Sequence, residues 1–361
     1  MDRRYVVAAL LVIVVAAAVT YRTAQQPHRP VSGENTNATI VADNLDIPWG
    51  IAFLPDGDLL VTERPGTLLR IDRSHGTTAT YQVSGVVHRG EGGLLGVALH
   101  PSYTSNSYIY LYMTTRKGDM LQNRVVRYTL HNTSLSNPET IISGLPGAIY
   151  HDGGRIAFGP SGYLYITAGD ATHRQWAQQR DILAGKILRL HPNGSIPSSN
   201  PFNNPVYSYG HRNPQGLAWI DGQLWATEHG DSQHDELNRI VKGGNYGWPI
   251  IEAAEKQQGM RQPEIYAQGT TWAPAGAAAI NNTIFFAGLR GQTLYEATIQ
   301  NKTVVQLDKH LQGQYGRLRA VAEGPEGDLY ISTSNTDGRG QPLPQDDRII
   351  RIDPDQFLTD Q

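Results

Sequence analysis

The pentapeptide His151-Asp152-Gly153-Gly154-Arg155 places an imidazole, a carboxylate and a guanidinium around two glycines. Histidine is the side chain best suited to accept a proton near neutral pH. A loop histidine is equally at home as a structural residue, so the segment needs partners. Four other segments supply candidates. Tyr209 to Gly216 sets Arg212, Asn213 and Gln215 between glycines, a composition that grips a planar polar ligand or builds a hydrogen-bonded turn. Glu228 to Glu236 is the densest run of oxygen and imidazole donors, with His229, Gly230, Asp231, His234, Asp235 and Glu236. Carboxylates beside main-chain carbonyls favour a hard ion such as calcium, although the spacing is not that of an EF-hand. The pair His229 and His234 would also suit zinc. Lys242 to Pro249 lets the backbone approach a ligand through its glycines. Arg317 and Arg319 point to one side of a strand and suit a carboxylate-rich partner, or else form an exposed pair.

Other chemistries find no support. The 361 residues include no cysteine, which removes disulfides, thiolate metal sites and cysteine nucleophiles. No G-x-S-x-G elbow, phosphate-binding loop or dinucleotide fingerprint occurs. A net charge of −3 with no basic cluster argues against nucleic acid as a partner.

These loops must hang on a scaffold, and the chain repeats itself. Six segments pair turn residues with an apolar run: 58–62, 108–112, 163–167, 223–227, 283–287 and 328–332. Their second residues, Leu59, Ile109, Leu164, Leu224, Ile284 and Leu329, recur at steps of 45 to 60 residues. That spacing predicts an all-β, six-bladed β-propeller of four-stranded blades over 39–355, with a C-terminal tail at 356–361. A β-sandwich with a second domain is the alternative, but no linker interrupts residues 40–354. The strand Thr39-Ile40-Val41-Ala42 could close the ring beside the last blade. His151 then sits just before a blade's inner strand, on a loop facing the central channel.

Arg3 and Arg4 precede an apolar run from Tyr5 to Tyr21. Residues 1–22 read as a membrane anchor or signal peptide, and 23–38 as a polar tether. The globular part is then expected outside the cytoplasm, periplasmic or at the cell surface, and membrane-bound if the segment is retained.

Taken in order, Gly90-Glu91-Gly92-Gly93-Leu94-Leu95-Gly96, His151-x3-Arg155, SYGHRNPQG (208–216), Glu228-His229-Gly230 with Asp235-Glu236, KGGNYGWP (242–249) and Arg317-x-Arg319 resemble the soluble glucose dehydrogenase and aldose sugar dehydrogenase family, which uses pyrroloquinoline quinone (PQQ). The resemblance spans about residues 40–355. It implies a six-bladed propeller that holds PQQ and calcium over the channel mouth and oxidises an aldose to a lactone. His151 matches the base that takes the anomeric proton, with Asp152 expected to tune it. Glu91, Arg155, Asn213, Gln215, His229, Asp235, Arg290, Arg317 and Arg319 fall at positions around the cofactor. Gly230 and Asp231 match carbonyl contacts to calcium, and Glu236 and Tyr246 resemble ligands of a second calcium. The electron acceptor is not implied. Tyr150, Glu91 and Arg290 stand where the glucose enzymes carry Asp, Gln and Lys. A calcium-dependent lactonase on the same scaffold is the competing reading; it would need acidic and amide ligands converging from several blades and would have no use for Arg317 and Arg319.

Overall fold

The computed structural model describes residues 38–358. Twenty-four strands form six antiparallel sheets of four, so the chain is the expected six-bladed propeller. The innermost strands are Pro48–Phe53, Leu94–Leu99, Ile156–Phe158, Pro214–Ile220, Pro274–Ile280 and Leu318–Glu323. The six repeated segments are the second strands, one layer out. In blades one, three and six these strands, Leu59–Glu63, Leu164–Ala168 and Leu329–Thr333, are buried from end to end. Strands covered on both faces read as continuous apolar runs, which is why they stand out.

Each neighbouring pair of blades encloses one apolar cluster, six in all. Between blades two and three, Tyr110, Tyr112 and Leu145 pack on Ile156, Ile166 and Leu188. Between blades five and six, Phe285 and Leu294 pack on Leu329, Ile331 and Ile350. The core is therefore a ring of wedges around the axis.

Nearer the axis the inner strands almost touch. A Cβ on Gly216 would lie 2.5 Å from the Ala275 carbonyl, and one on Gly50 would lie 2.9 Å from that of Leu95. Only glycine allows that approach.

The ring closes as anticipated. Ala38–Ala42 pairs antiparallel with Ile349–Ile352, Thr39 opposite Arg351 and Ile40 opposite Ile350. The last blade thus takes its outer strand from the start of the described chain. Joining the two ends of the described chain in one sheet closes the ring of blades. Among the described residues no helix is long and apolar enough to cross a membrane. The expected anchor at 1–22 lies outside the described residues.

Five of the six inner strands slip register against their neighbours near their starts, at Pro48/Gly50, Leu94/Val97, Pro214/Gly216, Pro274/Ala277 and Leu318/Val321. A bulge leaves a residue outside the ladder and re-aims its side chain. Here the re-aimed residues include Trp49, Gln215 and Arg319, and all three line the cavity at the channel mouth.

Candidate active site

A small cavity at the channel mouth is lined by Trp49, Glu91, Asp152, Gly153, Gln215, His229, Leu289, Arg319 and Arg339. Its wall is assembled from the loops that precede inner strands and those that follow second strands, which meet on one face of the ring.

His151 stands at this mouth in the left-handed region, at φ +64°. Its Nδ1 lies 2.7 Å from Asp170 Oδ1. Asp170 is wholly buried and is itself fixed: Thr172 N donates to Oδ1 at 2.8 Å and Trp248 Nε1 to Oδ2 at 2.8 Å. Burial opposes ionisation of Asp170, but the His151 ring together with the Trp248 and Thr172 donors outweighs it and holds the carboxyl below its ordinary range. With Nδ1 committed to a carboxylate, the neutral ring carries its proton there and leaves Nε2 as the base. The Nε2 makes no hydrogen bond with a described residue, and the side chain is 18% exposed.

The carboxylate that serves His151 is therefore Asp170 and not its neighbour Asp152. The left-handed turn at His151 sends the two side chains apart. Asp152 Oδ1 accepts from Asn123 Nδ2 at 2.8 Å and from Ala148 N at 3.2 Å. Burial pushes Asp152 up to about 7, and its Oδ2 has no partner.

Unpartnered polar atoms gather around this cavity. They belong to Arg155 (an Nη), Asn213 (Nδ2), Gln215 (Oε1) and His229 (Nε2), all buried. Each of these residues is held by its other contacts. Arg155 Nε donates to the Gln215 carbonyl at 2.9 Å, and its guanidinium lies 4.2 Å from the Trp49 ring centre. Asn213 Oδ1 accepts from Gly153 N at 3.0 Å. Burial pushes Arg155 down to about 9 and His229 down to about 4, so His229 is neutral. Buried polar atoms without partners are costly, and a cluster around one cavity marks a ligand site. The loop carrying Asn213 is braced from behind: His211 bridges Ser208 (2.8 Å) and Glu228 (2.7 Å), all three buried.

Arg317 and Arg319 are buried, not an exposed pair. They share Asp337, whose Oδ2 lies 2.9 Å from an Nη of Arg317 and 3.5 Å from an Nη of Arg319. Burial pushes Arg319 down to about 9. A third guanidinium, that of Arg64, is buried nearby; it donates to the Gly90 carbonyl at 2.6 Å and keeps an unpartnered Nε. Arg290 is exposed in the turn after Thr283–Gly288, next to the cavity-lining Leu289. Asp235 faces the main chain: its oxygens accept from Gly230 N (3.1 Å), Trp272 N (2.7 Å) and Ala273 N (2.9 Å), so it shapes the wall.

The candidate calcium positions divide in the same way. The Asp231 carboxylate is engaged by Arg174 and, at 3.7 Å, by Arg212, while its carbonyl accepts from Gln233 N. Glu236 and Glu228 share the amide of Asn238, and burial together with the Glu228 charge pushes Glu236 up to about 8. Two buried carboxylates so close suit a cation between them. The Tyr246 phenol is committed to the Arg239 carbonyl and Val241 N, which leaves its main chain as the available donor. Among the described residues no group of three or more His, Asp or Glu side chains is placed to hold a metal.

Lys186 anchors the loop between Asp170 and the next strand. It is fully buried, and its Nζ donates to the carbonyls of Trp176 (2.9 Å), Ala177 (2.9 Å) and Ala184 (2.5 Å). Burial pushes it down to about 7. Replacing Lys186 by methionine strands three carbonyls, with an expected loss of about 2–4 kcal/mol. Chemical denaturation measures the loss, and faster amide exchange over 170–185 locates it.

The residues 45–350 match the family model described as glucose / sorbosone dehydrogenase. The chain is 33% identical over 338 residues to aldose sugar dehydrogenase YliI of Escherichia coli, covering 84% of this chain and 91% of that one. It is 37% identical over 262 residues to quinoprotein glucose dehydrogenase B of Acinetobacter calcoaceticus, covering 63% of this chain and 55% of that one. The solved PQQ-bound form of aldose sugar dehydrogenase from Streptomyces coelicolor is similar with a TM-score of 0.83 and 40% identity, covering 89% of this chain and 99% of that one. With residues 45–350 of its propeller matched, the chain belongs to the glucose/sorbosone dehydrogenase family and is an oxidoreductase.

Proposed function

We propose that the protein oxidises the anomeric carbon of aldoses to lactones with PQQ and calcium, His151 acting as general base. The observation that carries this reading is the His151–Asp170 pair, joined through the His151 N–H to cavity-lining Glu91, beside a cavity whose wall includes the buried, unpartnered Gln215 Oε1 and His229 Nε2. The donor set fits a flat, carboxylate-rich ligand: Arg317 and Arg319 for carboxylates, and Asn213, Gln215, Arg155 and His229 for ring oxygens and nitrogens. When bound, the quinone supplies a two-electron acceptor for the hydrogen on the anomeric carbon, and calcium beside it supplies a Lewis acid.

The residues of the chain do the rest. His151 Nε2 takes the proton of the anomeric hydroxyl as the carbon gives up its hydride equivalent. Asp170 keeps the base in the tautomer that leaves Nε2 free and stabilises the imidazolium that forms. Trp248 and Thr172 keep Asp170 in place, and the hydrophobic faces of Trp49 and Leu289 limit water at the mouth. The main-chain carbonyls of Gly230 and Asp231 are the candidate calcium contacts beside the quinone, and Glu236 with Tyr246 those of a second ion. The apolar segment at 1–22 supports placement outside the cytoplasm, where the electrons would pass to an acceptor met at the same mouth.

Reconstitution tests the proposal. Purified protein loaded with PQQ and calcium is expected to reduce a dye when given aldoses. A protein that shows no bound-quinone spectrum and no sugar-dependent dye reduction would overturn it. The lactonase reading is disfavoured because the two carboxylates of the cavity wall, Glu91 and Asp152, are engaged by Arg339 and Asn123, and the buried guanidinium of Arg319 lines the same wall.

A further inference from the structure

We propose that Glu91 and Arg339 form a strap across the mouth, from blade two to the loop of blade six, that positions His151 and sets the pH dependence of its turnover. The inference rests on the role proposed above for His151. Neither residue touches the imidazole itself; both act through the His151 backbone and the local field, so they are positioning residues.

The geometry starts at the loop before the inner strand of blade two. Glu91 N donates to the Ile149 carbonyl at 2.8 Å, which docks this loop on the segment leading to His151. A side chain at Gly90 would run into that same carbonyl, so the approach depends on glycine. Glu91 Oε2 then accepts from His151 N at 3.0 Å, and Oε1 accepts from Arg339 Nη1 at 2.7 Å. The Arg339 guanidinium lies 5.4 Å from the ring centre of Tyr150, the exposed neighbour of His151.

Two facts make this more than a surface ion pair. His151 holds a left-handed backbone, which costs a residue with a Cβ about 1–2 kcal/mol and persists only where its surroundings enforce it. Those surroundings are Glu91 on its N–H, Ala171 N on its carbonyl at 3.2 Å, and Asp170 on its ring. Glu91 is also mostly enclosed, with 19% of its side chain exposed. Burial opposes its ionisation, yet the His151 N–H and Arg339 outweigh that and hold it at about 2.

The titratable groups around His151 are Asp170 behind it, Glu91 and Arg339 on one side, and Asp152 and His229 in the wall of the adjoining cavity, His229 being neutral. Within this set, Glu91 favours the imidazolium and Arg339 offsets it. The two therefore push the acid limb of turnover in opposite directions, and removing each gives a displacement of opposite sign.

The test is the pH profile of kcat with saturating aldose in the PQQ- and calcium-loaded enzyme. Arg339→Met leaves the Glu91 charge uncompensated, so the acid limb moves to higher pH and kcat at pH 6 falls by about three- to fivefold, the worth of one half-screened charge. Arg339→Lys is expected to restore most of the profile. Glu91→Gln keeps an acceptor for the His151 N–H but loses the charge, so the limb moves to lower pH. The double variant is expected to return near the parent limb. An NMR titration of the His151 imidazole in quinone-free protein, its signal assigned by loss in His151→Ala, is expected to show the same opposite displacements. Titrations and limbs that coincide with the parent, or that move in one direction in both single variants, overturn the strap. Shifts seen by NMR in a protein that oxidises no aldose would support the strap and reject the sugar dehydrogenase reading.

Discussion

Replacing His151 by alanine lowers turnover of the loaded enzyme by about 10²- to 10⁴-fold, the range a positioned general base supplies, while quinone binding persists. The separation of effects follows from the two sets of contacts. His151 is fixed by Asp170 through its ring and by Glu91 and Ala171 through its main chain, whereas the unpartnered atoms of Arg155, Asn213, Gln215 and His229 sit on other loops. Removing the imidazole leaves the latter set intact. It also leaves Asp170 buried with two of its three partners, Thr172 N and Trp248 Nε1, so the fold tolerates the change. Single-turnover dye reduction with a saturating aldose measures the rate, and the absorbance of bound quinone measures retention. Turnover within a few fold of the parent would remove His151 from the role of base.

The six-fold repeat was legible because the second strand of each blade is covered on both sides. The innermost strands escaped notice for the opposite reason. PAGAAAI is mostly alanine and glycine, residues with weak strand propensity; PWGIAF carries Pro48 and Gly50 at its start, where a side chain would meet the next blade; and IAF is only three residues long. The site's motifs were visible as loops, yet the pairing inside them was not. Asp152 is adjacent to His151 in sequence, and only the left-handed backbone at His151 reveals that it points away. Asp170 had a signal that was available: an acidic residue closing the second strand of the same blade, after Ile166-Thr167-Ala168-Gly169. Asp337 and Arg339 lie in the long polar loop 334–348, where composition gives no direction. Arg64 follows a strand end that looks like any other. In each case the missing information is which loop meets which across the mouth, a property of ring closure and not of local pattern.

Asp337 is where that hidden pairing has its largest consequence for stability. Its carboxylate is 2% exposed and serves Arg317 and Arg319 together, with Ser334 Oγ at 3.1 Å and Arg339 N at 2.9 Å. Burial opposes its ionisation, but Arg319 and Arg317 outweigh burial and hold it below the usual carboxylate range. Asp337→Asn would leave two buried guanidinium groups without a counter-ion, a change that costs about 3–5 kcal/mol. For a domain of this size that corresponds to a melting temperature lower by about 5–7 °C. The sign with pH follows from the depressed carboxyl. Its contribution is fully present above the unfolded value of about 4 and is lost as pH falls through the folded value, so the variant should lose less stability on acidification than the parent. A carboxylate-rich cofactor would bring back the missing negative charge, so PQQ should raise the melting temperature of Asp337→Asn by more than it raises that of the parent. Calorimetry with and without PQQ, at pH 7 and at pH 4, measures both differences. An equal or smaller gain in the variant would mean that the two arginines do not receive the cofactor's carboxylates, and that Asp337 is simply their permanent partner.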